Sequence, residues 1–352
     1  MQETLSHYFG YKSFRPGQEE IITKILNHQH TLGVLPTGGG KSICYQVPGL
    51  MQGGTTIVIS PLISLMKDQV DQLQAMGIQA AYLNSSLTHK QQKEIEERIK
   101  RGAIQFLYVA PERFENTFFL NLLRKIKIPL IAFDEAHCIS KWGHDFRPSY
   151  QSVIQKVFTL PQSFTIVALT ATATAEVQQD IMSKLSIGQN DVVKTSTKRR
   201  NLIFKVNPTY QRQKFVVDYV ANHEGQAGII YCSTRKQVEE LHEALNSEKI
   251  KSTIYHAGLT NKERIEAQND FLYDRVEVVI ATNAFGMGID KSNVRYVIHY
   301  NMPGDLESYY QEAGRAGRDG LKSECILLFS ERDKGLHEYF ITVSQADDDY
   351  KD

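Results

Sequence analysis

The chain has few cysteines, and they are scattered. Cys44, Cys138, Cys232 and Cys325 stand about ninety residues apart in a chain of 352. There is no C-x-x-C pair and no Cys/His cluster, which excludes a zinc site and a disulfide framework and fits a reducing compartment. Net charge is also missing, since 40 Lys and Arg balance 40 Asp and Glu. That excludes an evenly basic surface but leaves room for a groove with local cations. Candidates for such cations are Lys100-Arg101, Lys141 with Arg147, and Lys198-Arg199-Arg200. No window approaches the roughly 20 apolar residues of a membrane span. The N-terminus MQETLSHYFG lacks the basic-then-apolar order of a secretory signal. A cytoplasmic protein without a membrane partner is expected, nucleoid-associated if bacterial. Tryptophan is nearly absent too. The single Trp142 sits in FDEAHCISKWGHDFRPSY (133–150), behind Asp134-Glu135 and among Lys141, His144 and Arg147. Core packing is the ordinary reason for a tryptophan, but these neighbours suggest another.

What is present is a rhythm. Short β-rich apolar runs at 31–35, 56–60, 105–109, 130–133 and 165–169 alternate with helical patterns such as 62–76 and 88–101. The rhythm restarts at 227–231, 252–255, 276–281, 294–299 and 324–329, with helical stretches at 234–248 and 260–272. Strands alternating with helices imply parallel βαβ units. At roughly 150 residues per domain, this length suits two of them. The expected fold is α/β: two domains, each a mostly parallel sheet flanked by helices, with a cleft between them. The segment 196–212 breaks the rhythm with charge and a proline. This places the boundary near 205, giving domains at 1–205 and 206–352.

LPTGGGKS (35–42) follows the first strand and precedes a helical stretch, the context a phosphate-binding loop requires. Beyond Thr37, Gly38, Gly39 and Gly40 let backbone N–H groups converge on anionic oxygens. Lys41 brings a point charge to the β- and γ-phosphates, and Ser42 offers a hydroxyl to Mg²⁺. The strict pattern wants glycine where this chain has Leu35. The run LIAF leads straight into Asp134-Glu135-Ala136-His137. Asp134 therefore falls at the carboxyl end of a strand, where open α/β sheets bind ligands and a carboxylate can hold Mg²⁺. Glu135 is expected to point away from it along an extended chain, placed to orient and deprotonate an attacking water.

In the second half, QEAGRAGRDG (311–320) spaces Gln311, Arg315 and Arg318 four and three apart. That spacing predicts one side of a helix. Its cations suit the transition-state charge of a γ-phosphate, as an arginine finger in cis. ATNAFGMGIDKSNV (281–294) follows a strand, and its Asp290 could accept from a ribose hydroxyl.

These motifs, in this order, resemble those of superfamily 2 helicases. With FGYKSFRPGQ (9–18), ALTATAT (168–174) and the aromatic-rich loop after DEAH, the chain resembles the catalytic core of RecQ-type DNA helicases over roughly residues 5 to 340. The resemblance implies two RecA-like domains. It also implies that Tyr11 and Arg15 sandwich an adenine and that Gln18 reads its edge. Lys41 and Ser42 would bind phosphates and magnesium, Asp134 the metal, and Glu135 would be the general base. Arg318 would be the finger, with Gln311 and Arg315 beside it. His137 and the Thr170–Thr172 segment would link nucleotide state to DNA. The loop from Ser140 to Pro148 would sense single-stranded DNA and trigger hydrolysis.

That gives Trp142 a purpose. Base faces stack on aromatic rings at roughly 1–3 kcal/mol each, with little sequence preference. Trp142 and Phe146 supply rings, and Lys141, His144 and Arg147 supply cations for phosphates. The expected function is an ATP-dependent 3′–5′ DNA helicase of recombination and repair, stimulated by single-stranded DNA. Its expected cofactors are ATP and Mg²⁺, without zinc. Single-stranded, tailed and forked DNA are the expected partners, with repair or single-strand-binding proteins and a monomeric state. Segments 60–70 and 108–113 would touch phosphates from the first half. Longer members carry a zinc module and a winged helix after the core, so weak unwinding by this chain alone is expected. An ATP-gated DNA-binding or recruiting module and an RNA helicase are the competing readings.

Overall fold

The computed structural model describes residues 1–338 apart from 62, 143–145, 197, 286–290, 332, 334, 336 and 337. The chain divides into two compact units, Met1–Lys198 and Arg199–Asp352.

In the first unit, β1 (Thr31–Val34), β2 (Thr56–Ile59), β3 (Ala80–Leu83), β4 (Phe106–Val109), β5 (Leu130–Phe133), β6 (Thr165–Thr170) and β7 (Val192–Lys194) form one sheet. Its order is β3-β4-β2-β5-β6-β1-β7, and every pairing is parallel. In the second unit, β8 (Leu202–Pro208), β9 (Ala227–Tyr231), β10 (Ser252–Tyr255), β11 (Val278–Ala281), β12 (Val294–His299) and β13 (Ser323–Phe329) form another. Its order is β10-β11-β9-β12-β13-β8, again parallel throughout.

The unbroken apolar runs follow from burial on both faces. Along β5, Ile131 and Phe133 enter one core cluster while Leu130 and Ala132 enter the cluster on the other face. Along β11, Val279 and Ala281 face one way and Val278 and Ile280 the other. Full burial of each large aliphatic residue contributes roughly 1.5–3 kcal/mol.

Three strands lacked a sequence signature. β3 is half alanine, and β7 has only three residues. β8 lies inside the segment read as a break. Its described ladder partner is β13 alone, so this edge tolerates Lys205 and Pro208. Position 205 therefore falls inside a strand of the second sheet, and the boundary moves back from 205 to Lys198/Arg199.

All these strands point the same way within their sheet. In the first unit, the exits of β1, β5 and β6 (three neighbours) therefore open on one edge.

Candidate active site and nucleic-acid loop

The exits of β1 and β6 are tied directly, because the Leu35 N–H donates to the Thr170 carbonyl at 3.0 Å. The chain then turns through Thr37–Gly40. Gly39 N–H donates to the Pro36 carbonyl at 2.8 Å, and Gly38 and Gly40 adopt φ of 76° and 74°. At Gly40 the nearest atom a Cβ would meet is Gln18 Nε2, the movable end of a side chain, so it is the left-handed backbone rather than space that calls for glycine. The helix Ile43–Gln52 follows, with Ser42 at its N-cap and making no side-chain capping bond. The loop is braced from the N-terminal segment. Gln18 Nε2 donates to the carbonyls of Gly39 (3.1 Å) and Gly40 (3.0 Å), and its Oε1 accepts from Arg15 N–H at 2.8 Å. Arg15 Nη1 donates to the Gly38 carbonyl. Two residues expected at an adenine thus also hold the phosphate loop itself. Tyr11 is exposed. A cavity of about 850 Å³ opens beside Arg15, lined by Phe14, Pro16, Gly17 and Thr23 among others.

Asp134 leaves β5 with its N–H donating to the Ile59 carbonyl of β2 at 2.9 Å, and its side chain is buried. Burial and the adjacent Glu135 push its carboxyl up to about 7, against the opposing pull of Lys41. A dication at this position would restore the carboxylate, so Asp134 together with the Ser42 hydroxyl fits Mg²⁺. When bound, that ion neutralises phosphate oxygens.

Glu135 is not extended, as its sequence context suggested. It sits at φ 47° in the left-handed region, an uncommon state for a residue with a Cβ. The cause is local: a short 3₁₀ turn, Ala136–Ile139, starts immediately after it. The kink aims Glu135 across the strand ends. Its Oε1 lies 3.9 Å from Lys41 Nζ and its Oε2 lies 3.4 Å from His137 Nδ1. His137 Nδ1 is also 3.0 Å from Thr170 Oγ1, which donates to the Thr172 carbonyl at 2.9 Å. Lys41, Glu135, His137, Thr170 and Thr172 therefore form one continuous polar chain.

The aromatic loop grows from the same turn. Cys138 N–H donates to the Glu135 carbonyl at 3.0 Å, and Ser140 N–H to the His137 carbonyl at 3.1 Å. The far end closes on the near end, because Arg147 N–H donates to the Cys138 carbonyl at 3.0 Å. Beyond the loop, the helix Pro148–Val157 carries Tyr150, whose buried hydroxyl donates to the Asp134 carbonyl at 3.1 Å. Both ends of the loop are thus fastened to the acidic pair. At its tip Trp142 is 66% exposed, which rules out core packing as its role, while Phe146 is half-buried. Lys141 is exposed. Arg147, expected to meet phosphates, donates from Nη1 to the Pro61 carbonyl at 3.1 Å. It thereby anchors the loop to the segment after β2. His144 and Asp290 lie outside the described residues.

In the second unit, the expected helical face for Gln311, Arg315 and Arg318 is not formed. The helix Leu306–Ala313 carries Gln311 but stops before both arginines. Its continuation is a tight turn, because Gly317 has φ 56° and its N–H donates to the Val294 carbonyl of β12 at 2.8 Å. A Cβ there would stand 2.7 Å from the Leu321 carbonyl oxygen. Arg315 is buried and hydrogen-bonded to Tyr231, whose hydroxyl also donates to the Phe285 carbonyl at 3.0 Å. Burial pushes the Tyr231 hydroxyl up, and Arg315 and Arg318 pull it partly back. Arg318 is only half-buried. The two arginines therefore differ in burial: Arg315 is buried against Tyr231, and Arg318 is partly exposed.

Several supporting residues had no legible signal as such. His299 Nε2 lies 2.9 Å from Glu312 Oε2 and stacks on Tyr231 with ring centroids 5.4 Å apart. Arg199, read as a groove cation, instead donates Nη1 to the Gly314 carbonyl at 2.6 Å and Nη2 to the Gly317 carbonyl. Lys100 pairs with Glu97 at 2.5 Å on an exposed helix surface.

Two family models match this chain. The DEAD/DEAH box helicase model covers residues 15–181, and the helicase conserved C-terminal domain model covers residues 211–320. The chain is 50% identical to the ATP-dependent DNA helicase RecQ of Bacillus subtilis over 99% of its own length and 59% of the relative's. It is 43% identical to the probable ATP-dependent DNA helicase RecS of the same organism, over 98% of its length and 70% of the relative's. The chain belongs to the RecQ-type helicases of superfamily 2. This RecQ-type core spans a little over half the length of the RecQ relatives it matches. Its fold also matches that of Saccharomyces cerevisiae Dbp5 bound to RNA and ADP BeF3, with a TM-score of 0.75 and 20% identity, over 97% of this chain and 90% of that one. RecA-like architecture in both units agrees with the parallel sheets described above.

Proposed function

We propose that this RecQ-type core is an ATP-driven motor that moves 3′ to 5′ along single-stranded DNA and serves recombination and repair. The observation that carries the reading is the fastening of the Trp142 loop, at both ends, to Asp134 and Glu135. A base stacked on the exposed indole displaces a loop that has little slack before the acidic pair. Glu135 then swings from its Lys41 and His137 contacts toward the attacking water and takes its proton. Lys41 moves onto the β- and γ-phosphates, and the glycine N–H groups cradle the same oxygens. Asp134 with Ser42 would hold magnesium, which would supply positive charge to the phosphate oxygens. Arg318 stabilises the charge that develops on the γ-phosphate. Gln311 orients beside it, and Tyr11, Arg15, Gln18 and Asp290 hold base and ribose. Release of the brace between Gln18 and the phosphate loop accompanies nucleotide entry.

Lys141, His144 and Arg147 meet backbone phosphates, which supports movement without sequence choice. Single-stranded and tailed or forked duplex DNA are the proposed substrates. Repair or single-strand-binding proteins are the proposed partners of a monomeric, cytoplasmic enzyme.

Titrating oligo-dT into a steady-state ATPase assay tests the motor. A saturable rise in turnover is expected, and a flat response supports the ATP-gated binding module instead. Stimulation by poly-U equal to that by poly-dT would favour an RNA substrate. Strand displacement on 3′-tailed but not 5′-tailed duplexes is the expected polarity.

A further inference from the structure

We infer that Arg199 is a positioning residue for the arginine turn, holding Gly317 so that Arg318 is presented to the transferring phosphate; the inference rests on the hydrolysis proposed above. Arg199 precedes Gly314 by 115 residues and is the first residue of the second unit. Its guanidinium spans the turn, with Nη1 on the Gly314 carbonyl at 2.6 Å and Nη2 on the Gly317 carbonyl. These two carbonyls bracket Arg315, and the second immediately precedes Arg318.

The chemistry favours a guanidinium here. The helix Leu306–Ala313 has just ended, so its last carbonyls and those of the turn carry partial negative charge that attracts a cation. A planar fork with two donors fixes the separation of the two carbonyls, and a lysine ammonium cannot span them in the same way. Asn201 adds a second brace, with Nδ2 donating to the carbonyls of Gly317 (2.8 Å) and Leu321 (2.9 Å). Asn201 is itself pinned, since its carbonyl accepts from Ser323 N–H on β13 at 2.9 Å. Without the fork, the stretch Gly314–Gly317 loses a side chain that grips both of its ends. Arg315 keeps its Tyr231 partner, so the turn survives while Arg318 loses its fixed origin.

A purely structural role predicts lost stability and nothing more. A positioning role predicts a loss confined to the step in which Arg318 acts. The test uses the full chain with Arg199→Lys and Arg199→Ala, in wild-type and Arg318→Ala backgrounds. The expected result is a fall in DNA-stimulated kcat of about tenfold or more with KM for ATP within about twofold, the pattern of a transition-state interaction. In the Arg318→Ala background, the residual single-turnover rate should not fall further, because coupled residues are non-additive. Hydrogen exchange at residues 314–318 should accelerate in the Lys variant, which carries the measurement even if the Ala variant fails to fold. Equal fold-losses in both backgrounds, a raised KM with unchanged kcat, or unchanged exchange at 314–318 would each overturn the inference. If the wild-type chain shows no DNA-stimulated hydrolysis, the motor reading fails, and the exchange measurement alone then decides whether Arg199 organises the turn.

Discussion

The two units share a plan but differ in how they place charge. In the first, the motif residues sit on strand exits: Lys41 follows β1, Asp134 and Glu135 follow β5, and Thr170 ends β6. In the second, Arg315 and Arg318 sit on a turn after a helix, and that turn is held by Arg199 and Asn201 from more than a hundred residues away. Parallel strands position their exits through the sheet itself, which is fixed by burial on both faces. A turn has no such frame and needs side chains to define it. The first arrangement is set by a parallel sheet, and the second by a few named side-chain hydrogen bonds.

The largest effects that would sharpen this contrast come from Lys41→Ala and Glu135→Gln. If Lys41 meets the phosphates as proposed, removing the charge that faces Glu135 at 3.9 Å should lower turnover about 10²–10³-fold. The fold should persist, because the loop's braces run through Arg15 and Gln18. A variant that instead melts earlier and keeps turning over would contradict a chemical role for the lysine at this strand exit. Next comes Glu135→Gln, which should bind a fluorescent ATP analogue normally while turnover falls about 10²–10⁴-fold, the range for removing a general base. Weakened nucleotide binding would point to a structural rather than chemical role for its kinked backbone.

Gly317→Ala probes the other unit. The new methyl meets the Leu321 carbonyl at 2.7 Å in a left-handed backbone, so destabilisation of roughly 1–3 kcal/mol is expected in denaturant melts. An unchanged melt would mean that the turn is not sterically defined.

The same contrast explains what the sequence revealed. Every strand expected from an apolar run is present, because double-sided burial writes itself as consecutive Val, Ile and Leu. The motif residues at strand exits were legible, since their position relative to a strand is enough to group them. The arginine turn was misread as a helix, because a four-and-three spacing looks helical while the stop at Ala313 depends on a distant contact, the bond from Gly317 to Val294. Glu135 was read as extended because nothing in DEAH announces a left-handed residue. Arg199 looked like one of three surface cations. Its partners are backbone carbonyls, and carbonyls leave no trace in a sequence. Tyr150 went unnoticed for the same reason, as its hydroxyl also meets a carbonyl, that of Asp134.

The most direct test of the account is the ATPase rate of Trp142→Ala against oligo-dT concentration. The indole is exposed, so its loss should leave the fold and basal hydrolysis intact, while losing one stacked base weakens the strand signal by roughly 1–3 kcal/mol. Basal turnover equal to wild type with most of the DNA-dependent rise gone is the predicted outcome. A full rise at saturating oligo-dT, with the same half-saturation point as wild type, would show that the acidic pair takes its cue from somewhere else.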